Sequence, residues 1–273
     1  MAESLVFALV PDIGKLVRFD ALEAGVTEMR KLVRDVDIAV FRAEGIKRTR
    51  RQWLVRRIDT AEQTAAQRIA LVTADGTSAL DRRTDEILVE GVREIASGDV
   101  DAPPAFFSEA ELESLIALRR RVLNKGLSRI ELGTTPNPAS VQIVPSIEDR
   151  VNRILRGTVD ALGSLDGELD ALNLRHQPYF TIWEAMTGQA VRCSFELDRL
   201  YEVRELLHKR VRVSGLVRYF ANGRPRSISR VERIKGMEPV APAGERIDYW
   251  GSVPELAKGV DTVAYLKERF GDE

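Results

Sequence analysis

The chain has 273 residues, of which 44% are hydrophobic, and its 41 basic and 42 acidic side chains leave a formal charge of −1. This length allows two domains with ordinary hydrophobic cores. The single cysteine, Cys193, excludes an intramolecular disulfide and a thiolate-rich metal site. No run reaches the roughly 18 apolar residues that span a bilayer. We therefore expect a cytoplasmic protein that does not enter a membrane.

Charge is unevenly distributed along the chain. Residues 1–155 carry 23 basic and 24 acidic side chains, residues 156–236 carry 14 and 10, and residues 237–273 carry 4 and 8. A basic module followed by an acidic tail is compatible with a nucleic-acid-binding surface and a tail that competes for it.

The first part of the chain, residues 1–156, mixes strand and helix patterns. Strands are predicted at 5–10, 52–59, 67–73, 127–132 and 141–144, and helices at 14–34, 78–97, 109–124 and 147–156. The pattern at 35–41 favours neither element. Ser108 and Glu111 form a capping box at the start of the third helix, and Gly126 follows its end. We expect an α+β domain with two hairpins, one joining 52–59 to 67–73 and one joining 127–132 to 141–144.

Residues 165–235 show the clearest alternation of apolar and polar side chains. Strands are predicted at 166–175, 179–184, 190–195, 211–219 and 225–234, with a helix between the third and the fourth. This order of elements resembles the OB-fold, a five-stranded Greek-key barrel with a helix between strands three and four. The resemblance implies an OB-like barrel domain at 157–237, with the domain boundary between Gly157 and Gly167.

Basic and aromatic side chains alternate with the predicted core residues of this barrel. In OB-folds that bind single strands, cations follow the phosphates and exposed rings stack on bases, each ring contributing about 1–3 kcal/mol. The resemblance therefore implies a nucleic-acid-binding or macromolecule-binding face. Its candidate residues are Arg192, Arg210, Arg212, Arg218, Arg224, Arg226, Arg230, Tyr179, Trp183 and Phe220. The alternative is an ordinary solvated face, on which arginines with long stems are common.

Sequence motifs for catalysis and cofactor binding are absent. The chain contains no P-loop, dinucleotide-binding, zinc-protease or nucleophile-elbow pattern. Cys193 alternates with inward-facing residues and is expected to be an inert, buried thiol. We predict no catalytic residue, no metal site and no cofactor, and hence a non-enzymatic binding protein.

Two other features leave alternatives open. An enzyme would require the carboxylates of Asp35, Asp37, Glu44 and Asp59 to converge on a metal, whereas solvent exposure is the favoured interpretation of such acidic residues. The loop from Thr134 to Ser140 offers hydroxyls and backbone amides that could hold a phosphate, although a simple hairpin loop is favoured.

Residues 238–273 are predicted to form a linker that contains proline and glycine, followed by a short helix. The segment 261–273 resembles the C-terminal segments of bacterial antitoxins that neutralise PIN-domain ribonucleases. The resemblance implies that an apolar helix face docks on the partner and that a cation enters its acidic pocket. The implied anchors are Val263, Leu266 and Phe270, and the implied cation is Lys267 or Arg269. An antitoxin-type regulator is therefore the alternative function.

Overall fold

The computed structural model describes residues 5–46, 52–61, 65–73, 79–135, 140–175 and 177–237. These residues form two β-sheets and five α-helices, which confirms the α+β class. The chain up to Met237 belongs to one compact unit. The predicted linker and docking helix, residues 238–273, lie outside the described residues.

The first half of the chain combines one antiparallel sheet with four helices. Its strands are β1 (Leu5–Pro11), β2 (Trp53–Ala61), β3 (Ala66–Thr73), β4 (Leu127–Thr134) and β5 (Val141–Ile143). Its helices are α1 (Phe19–Ala43), α2 (Ala79–Ser97), α3 (Glu109–Ala117) and α4 (Ile147–Arg156). The strand order is β2-β3-β1-β4-β5, and both predicted hairpins, β2–β3 and β4–β5, are confirmed.

Helix α1 starts later and ends later than the sequence pattern predicts. It includes residues 35–41, for which the pattern favours neither element. Val36 and Val40 are buried and continue the apolar face of Met29 and Leu32. The charged Asp35 beside them obscures this face in the sequence.

The start of α3 is fixed by the predicted capping box. The backbone N–H of Ser108 donates to Glu111 Oε2 at 2.7 Å, and Ser108 Oγ accepts from the N–H of Ala110 at 3.2 Å. Burial raises the pKa of the Glu111 carboxyl. After α3 the chain continues through a π-helical turn, Leu118–Val122, and a 3-10 turn, Leu123–Lys125. Gly126, at φ +86°, ends this helical segment as predicted.

The second half of the chain is a sheet of five strands that closes on itself. The strands are β6 (Thr158–Asn173), β7 (Tyr179–Glu184), β8 (Ala190–Ser194), β9 (Arg210–Phe220) and β10 (Pro225–Gly236). Their order around the barrel is β10-β8-β7-β6-β9, and β10 also pairs with β9. A 3-10 turn, Leu197–Arg199, and helix α5 (Leu200–Glu205) connect β8 to β9, where the sequence predicts a helix.

Strand β6 begins at Thr158, so it starts well before residue 166, where the sequence pattern predicts its beginning. Its first half pairs continuously with β9, from Thr158 opposite Phe220 to Leu165 opposite Val213. Val159 and Leu162 are 65% and 73% exposed. Because side chains of both orientations are exposed here, the alternation that identifies a half-buried strand is missing from the sequence.

The buried apolar residues form two clusters. One fills the barrel and includes Leu169, Phe180 and Cys193, whose burial raises the thiol pKa. The other lies between the first sheet and its helices, and it also includes Phe220 from the end of β9. The barrel therefore contributes a side chain to the core of the first half. Within the described residues, no helix is both long and apolar enough to cross a membrane.

Candidate functional site

The outward positions of β6, β9 and β10 form rows across the barrel surface. The register aligns Asp166 with Arg212 and Lys235, Ser164 with Ser214 and Arg233, and Leu162 with Leu216 and Arg230. In these three rows the β6 residue is acidic, neutral or apolar, whereas the β10 residue is always a lysine or an arginine. The charge of this face is concentrated along β9 and β10.

We call Arg210, Arg212, Arg230, Arg233 and Lys235 the basic strip. Arg212, Arg233 and Lys235 are exposed, and the Arg230 side chain is 68% exposed. Asp166 pairs with Arg212, and Glu232 lies 3.5 Å from Arg230. Neither Arg233 nor Lys235 forms an ion pair within the described part of the chain. Glu168, which also pairs with Arg42, lies opposite Arg210 in the sheet register. Five cations therefore lie beside three carboxylates, and the strip has an excess of positive charge.

The sequence identifies Arg210, Arg212 and Arg230 as candidates but misses Arg233 and Lys235. The reason is the irregular register of β10, which shifts between Ile228 and Arg230 and between Val231 and Arg233. These bulges place Arg230, Arg233 and Lys235 on the same side of the strand, although they do not follow a spacing of two. The signal available in the sequence is the recurrence of Ile and Val at Ile228, Val231 and Ile234, each of which is buried.

Two predicted ligand-binding arginines are paired with carboxylates of β6. Arg212 donates from Nε and Nη2 to Asp166 at 2.6 and 2.7 Å, and Arg218 donates likewise to Asp160 at 2.7 and 2.9 Å. These hydrogen bonds lower the pKa of both carboxyls and raise the pKa of both guanidinium groups. Each arginine is therefore locally neutralised, and only Arg212 lies in the strip.

The pairing predicts a change in the titration of Asp166. Replacing Arg212 with alanine should raise the pKa of the Asp166 carboxyl, because its main hydrogen-bond donor is lost. Since the pKa is lowered in the folded protein, the pair stabilises the fold above the ordinary carboxyl pKa and loses this effect as the pH falls. Carboxyl carbon NMR titration measures the shift, with Asp160 as the internal control. An unchanged Asp166 pKa in Arg212→Ala would contradict the pairing.

Arg224, predicted to face a ligand, instead binds the first half of the chain. Its guanidinium donates to the carbonyls of Pro103, Pro104 and Phe107 at 3.0, 2.9 and 2.8 Å and to Gln189 Oε1 at 3.2 Å. Burial lowers the pKa of this guanidinium. The prediction that Arg224 belongs to an open face is wrong, because all its contacts are structural.

Arg226 and Arg192 contact helix α3. Arg226 Nη2 lies 2.6 Å from Glu109 Oε1, and its Nη1 donates to the carbonyl of Leu155 at 2.6 Å. Arg192 Nη2 lies 3.6 Å from Glu113. Glu109 and Glu113 are four residues apart and share one side of α3. The prediction of an open face is therefore wrong for Arg226, whose side chain is only 15% exposed, and Arg192 is only partly available.

The predicted stacking rings have other environments. Phe220 is 2% exposed, so its prediction as a surface ring is wrong. The guanidinium of Arg42 lies 4.6 Å from the centre of the Trp183 ring and pairs with Asp170 at 3.1 Å. Trp183 Nε1 also donates to Asp170 at 3.1 Å. One face of Trp183 is therefore covered by the end of α1.

Tyr179 is covered in a similar way. The guanidinium of Arg192 lies 4.7 Å from the centre of its ring, and its hydroxyl accepts a hydrogen bond from Asn173 at 3.0 Å. On the surface formed by β7 and β8, the rings of Trp183 and Tyr179 are therefore each covered by an arginine of the same chain instead of being free to stack on a base.

The acidic candidates of the first half of the chain give no metal site within the described residues. Asp35 pairs with Arg34, Asp37 accepts from Thr84, and Glu44 pairs with Arg83. In the described ranges, no group of three or more His, Cys, Asp and Glu side chains could hold a metal ion. The predicted partner-binding residues Val263, Leu266, Lys267, Arg269 and Phe270 lie outside the described residues.

These features define an α+β protein with a barrel whose β9–β10 surface is basic. No protein-family model matches the chain, and no curated protein matches it.

Proposed function

We propose that this chain is a non-enzymatic binding protein whose basic strip binds the phosphate backbone of single-stranded nucleic acid. The observation that carries the proposal is the set of outward cations on β10. Arg230, Arg233 and Lys235 occupy neighbouring outward positions, and the last two form no ion pair in the described part of the chain. A row of exposed cations attracts polyanions and steers their approach.

The strand order supports an OB-like assignment for the barrel. Numbered within the barrel, the first strand pairs with the second and the fourth, and the third pairs in parallel with the fifth. Helix α5 lies between the third and fourth strands. Small Greek-key barrels of this kind commonly bind oligonucleotides and oligosaccharides.

The location of the proposed site differs from the usual one in such barrels, where the second and third strands bind the ligand. Here those strands are β7 and β8, and Trp183 and Tyr179 on them are covered by Arg42 and Arg192. The basic strip on β9 and β10 carries no such contact with the first half of the chain among the described residues. The strip is therefore the better candidate.

The chemistry of the strip determines the kind of binding. It offers guanidinium and ammonium donors but no aromatic side chain, so contacts to phosphates dominate over stacking on bases. We expect affinity that depends little on base sequence and falls steeply with salt, since neutralised phosphates release their counterions.

Removing the β10 cations tests this proposal. The variant Arg230→Ala/Arg233→Ala/Lys235→Ala should lose at least about tenfold in affinity for a fluorescently labelled single-stranded oligonucleotide at low salt, because three phosphate contacts disappear. Fluorescence anisotropy measures the dissociation constant.

The matched control removes the same charge elsewhere. Arg30, Lys31 and Arg68 are exposed and lie on α1 and on β3, outside the barrel sheet. Their triple alanine variant should keep most of the affinity. Equal losses in both variants would show that only net charge matters, and no binding by the unaltered protein at low salt would remove the proposal.

The alternative proposal, an antitoxin-type regulator, rests on residues 261–273. It predicts that deletion of Asp261–Glu273 abolishes binding to a PIN-like ribonuclease partner while single-strand binding by the strip persists. A pull-down from the native host, with nuclease treatment in one arm, separates protein partners from nucleic-acid partners.

A further inference from the structure

A cleft on the first half of the chain, which shares no residue with the basic strip, collects hydrogen-bond donors. It lies between the end of α2, the strand β5 and the start of α4, and has a volume of about 420 Å³. Its lining includes Arg93, Arg150, Ser140 and Gln142, with Ala96 and Val144 as apolar wall. This volume lies within the range of about 300–1,000 Å³ that is usual for small-molecule sites.

The two arginines differ in how firmly they are held. Arg93 pairs with Glu90, an exposed neighbour on the same helix, and such surface pairs contribute little and exchange easily. Arg150 forms no ion pair in the described part of the chain. Its Nε lies close to the turn at Gly98, where an added Cβ atom would be 3.4 Å away.

Neutral donors complete the cleft. Ser140 and Gln142 are exposed, and neither side chain makes a hydrogen bond to another described residue. Strand β5 is an edge of its sheet within the described ranges, so its outer N–H groups have no strand partner there. Guanidinium, hydroxyl, amide and backbone donors together favour a tetrahedral oxyanion.

From this set of donors we infer that the cleft binds a small phosphorylated molecule. The phosphate lies between Arg93 and Arg150, and the carbon skeleton packs on Ala96 and Val144. The site is independent of the basic strip, since it uses none of the same residues.

Calorimetric titration with inorganic phosphate, ribose 5-phosphate and ribose tests the inference. The unaltered protein should bind ribose 5-phosphate with a dissociation constant of about 1 mM or lower, bind inorganic phosphate more weakly, and not bind ribose. Arg93→Ala/Arg150→Ala should weaken binding of the sugar phosphate at least about tenfold, because two charge-assisted contacts are lost. Arg150→Lys keeps the positive charge but lacks the forked donors of a guanidinium group, so it should cause a smaller loss of affinity than the double variant.

The control variant Arg30→Ala/Lys31→Ala removes two exposed cations of α1 and should bind as the unaltered protein does. Urea unfolding of every variant checks that the fold is intact, and Arg150→Lys serves if the double variant is unfolded. Equal binding by the double variant, binding of ribose as tight as that of its phosphate, or no binding of ribose 5-phosphate at about 10 mM would overturn the inference. Single-strand binding by the strip should be unchanged in Arg93→Ala/Arg150→Ala.

Discussion

Replacing Arg224 with alanine should lower the free energy of unfolding by about 2–4 kcal/mol, a large effect for one side chain. The guanidinium satisfies the carbonyls of Pro103, Pro104 and Phe107 from the barrel side, and Gln189 Oε1 accepts a further hydrogen bond. In the alanine variant these acceptors lose a charged donor in a partly buried position. Urea unfolding measures the change.

Two further variants show whether the loss comes from this contact. Arg224→Lys keeps the charge, but an ammonium group cannot reproduce the forked geometry, so it should recover only part of the stability. Arg230→Ala removes an exposed arginine of the neighbouring strand and should change the free energy of unfolding by about 0.5 kcal/mol or less. Equal stability of Arg224→Ala and Arg230→Ala would contradict the structural role of Arg224.

Gly215→Ala should destabilise the barrel by about 1–3 kcal/mol, because the new methyl group has no room. A Cβ atom at this position would lie 2.0 Å from the carbonyl oxygen of Arg230, which belongs to the backbone of β10. The two strands must separate to admit it. The residue lies inside β9, opposite Val231 of β10 and Gly163 of β6.

Gly157→Ala is the matched control for this prediction. An added Cβ atom at Gly157 would lie 3.5 Å from its nearest neighbour, the carbonyl of Arg153, which is an ordinary contact. We expect a change of about 0.5 kcal/mol or less in urea unfolding. If Gly215→Ala is as stable as Gly157→Ala, the close approach of β9 and β10 at this position is wrong.

The sequence predicts local structure well where the chemistry is local. The capping box of Ser108 and Glu111, the end at Gly126 and the strand β7 all depend on neighbouring residues, and the structure has them where predicted. The alternation of apolar and polar residues identifies a strand only where one face of the strand is buried and the other is exposed. The first half of β6 is exposed on both faces, so no period marks it.

The candidate site is less predictable, because the partners of an outward side chain come from distant parts of the chain. The alternation of apolar and polar residues shows that the Arg212 side chain points away from the barrel core. It cannot show that this side chain donates hydrogen bonds to Asp166. In the same way, the side chains of Arg224 and Phe220 lie outside the barrel core, but they contact the first half of the chain instead of solvent. The number of arginines in the sequence therefore overestimates the exposed basic surface. Arg233 and Lys235, which do belong to this surface, are missed because the bulges of β10 interrupt the spacing of two.

Chemical-shift mapping by NMR shows which strands of the barrel contact a single-stranded nucleic acid. An isotope-labelled sample is titrated with a short, mixed-sequence single-stranded oligonucleotide at low salt, and the backbone amide signals are followed. We expect shifts concentrated along β9 and β10, around Arg212, Arg233 and Lys235, which reverse when salt is raised. Shifts concentrated on β7 and β8, or the absence of any shift, would contradict this expectation.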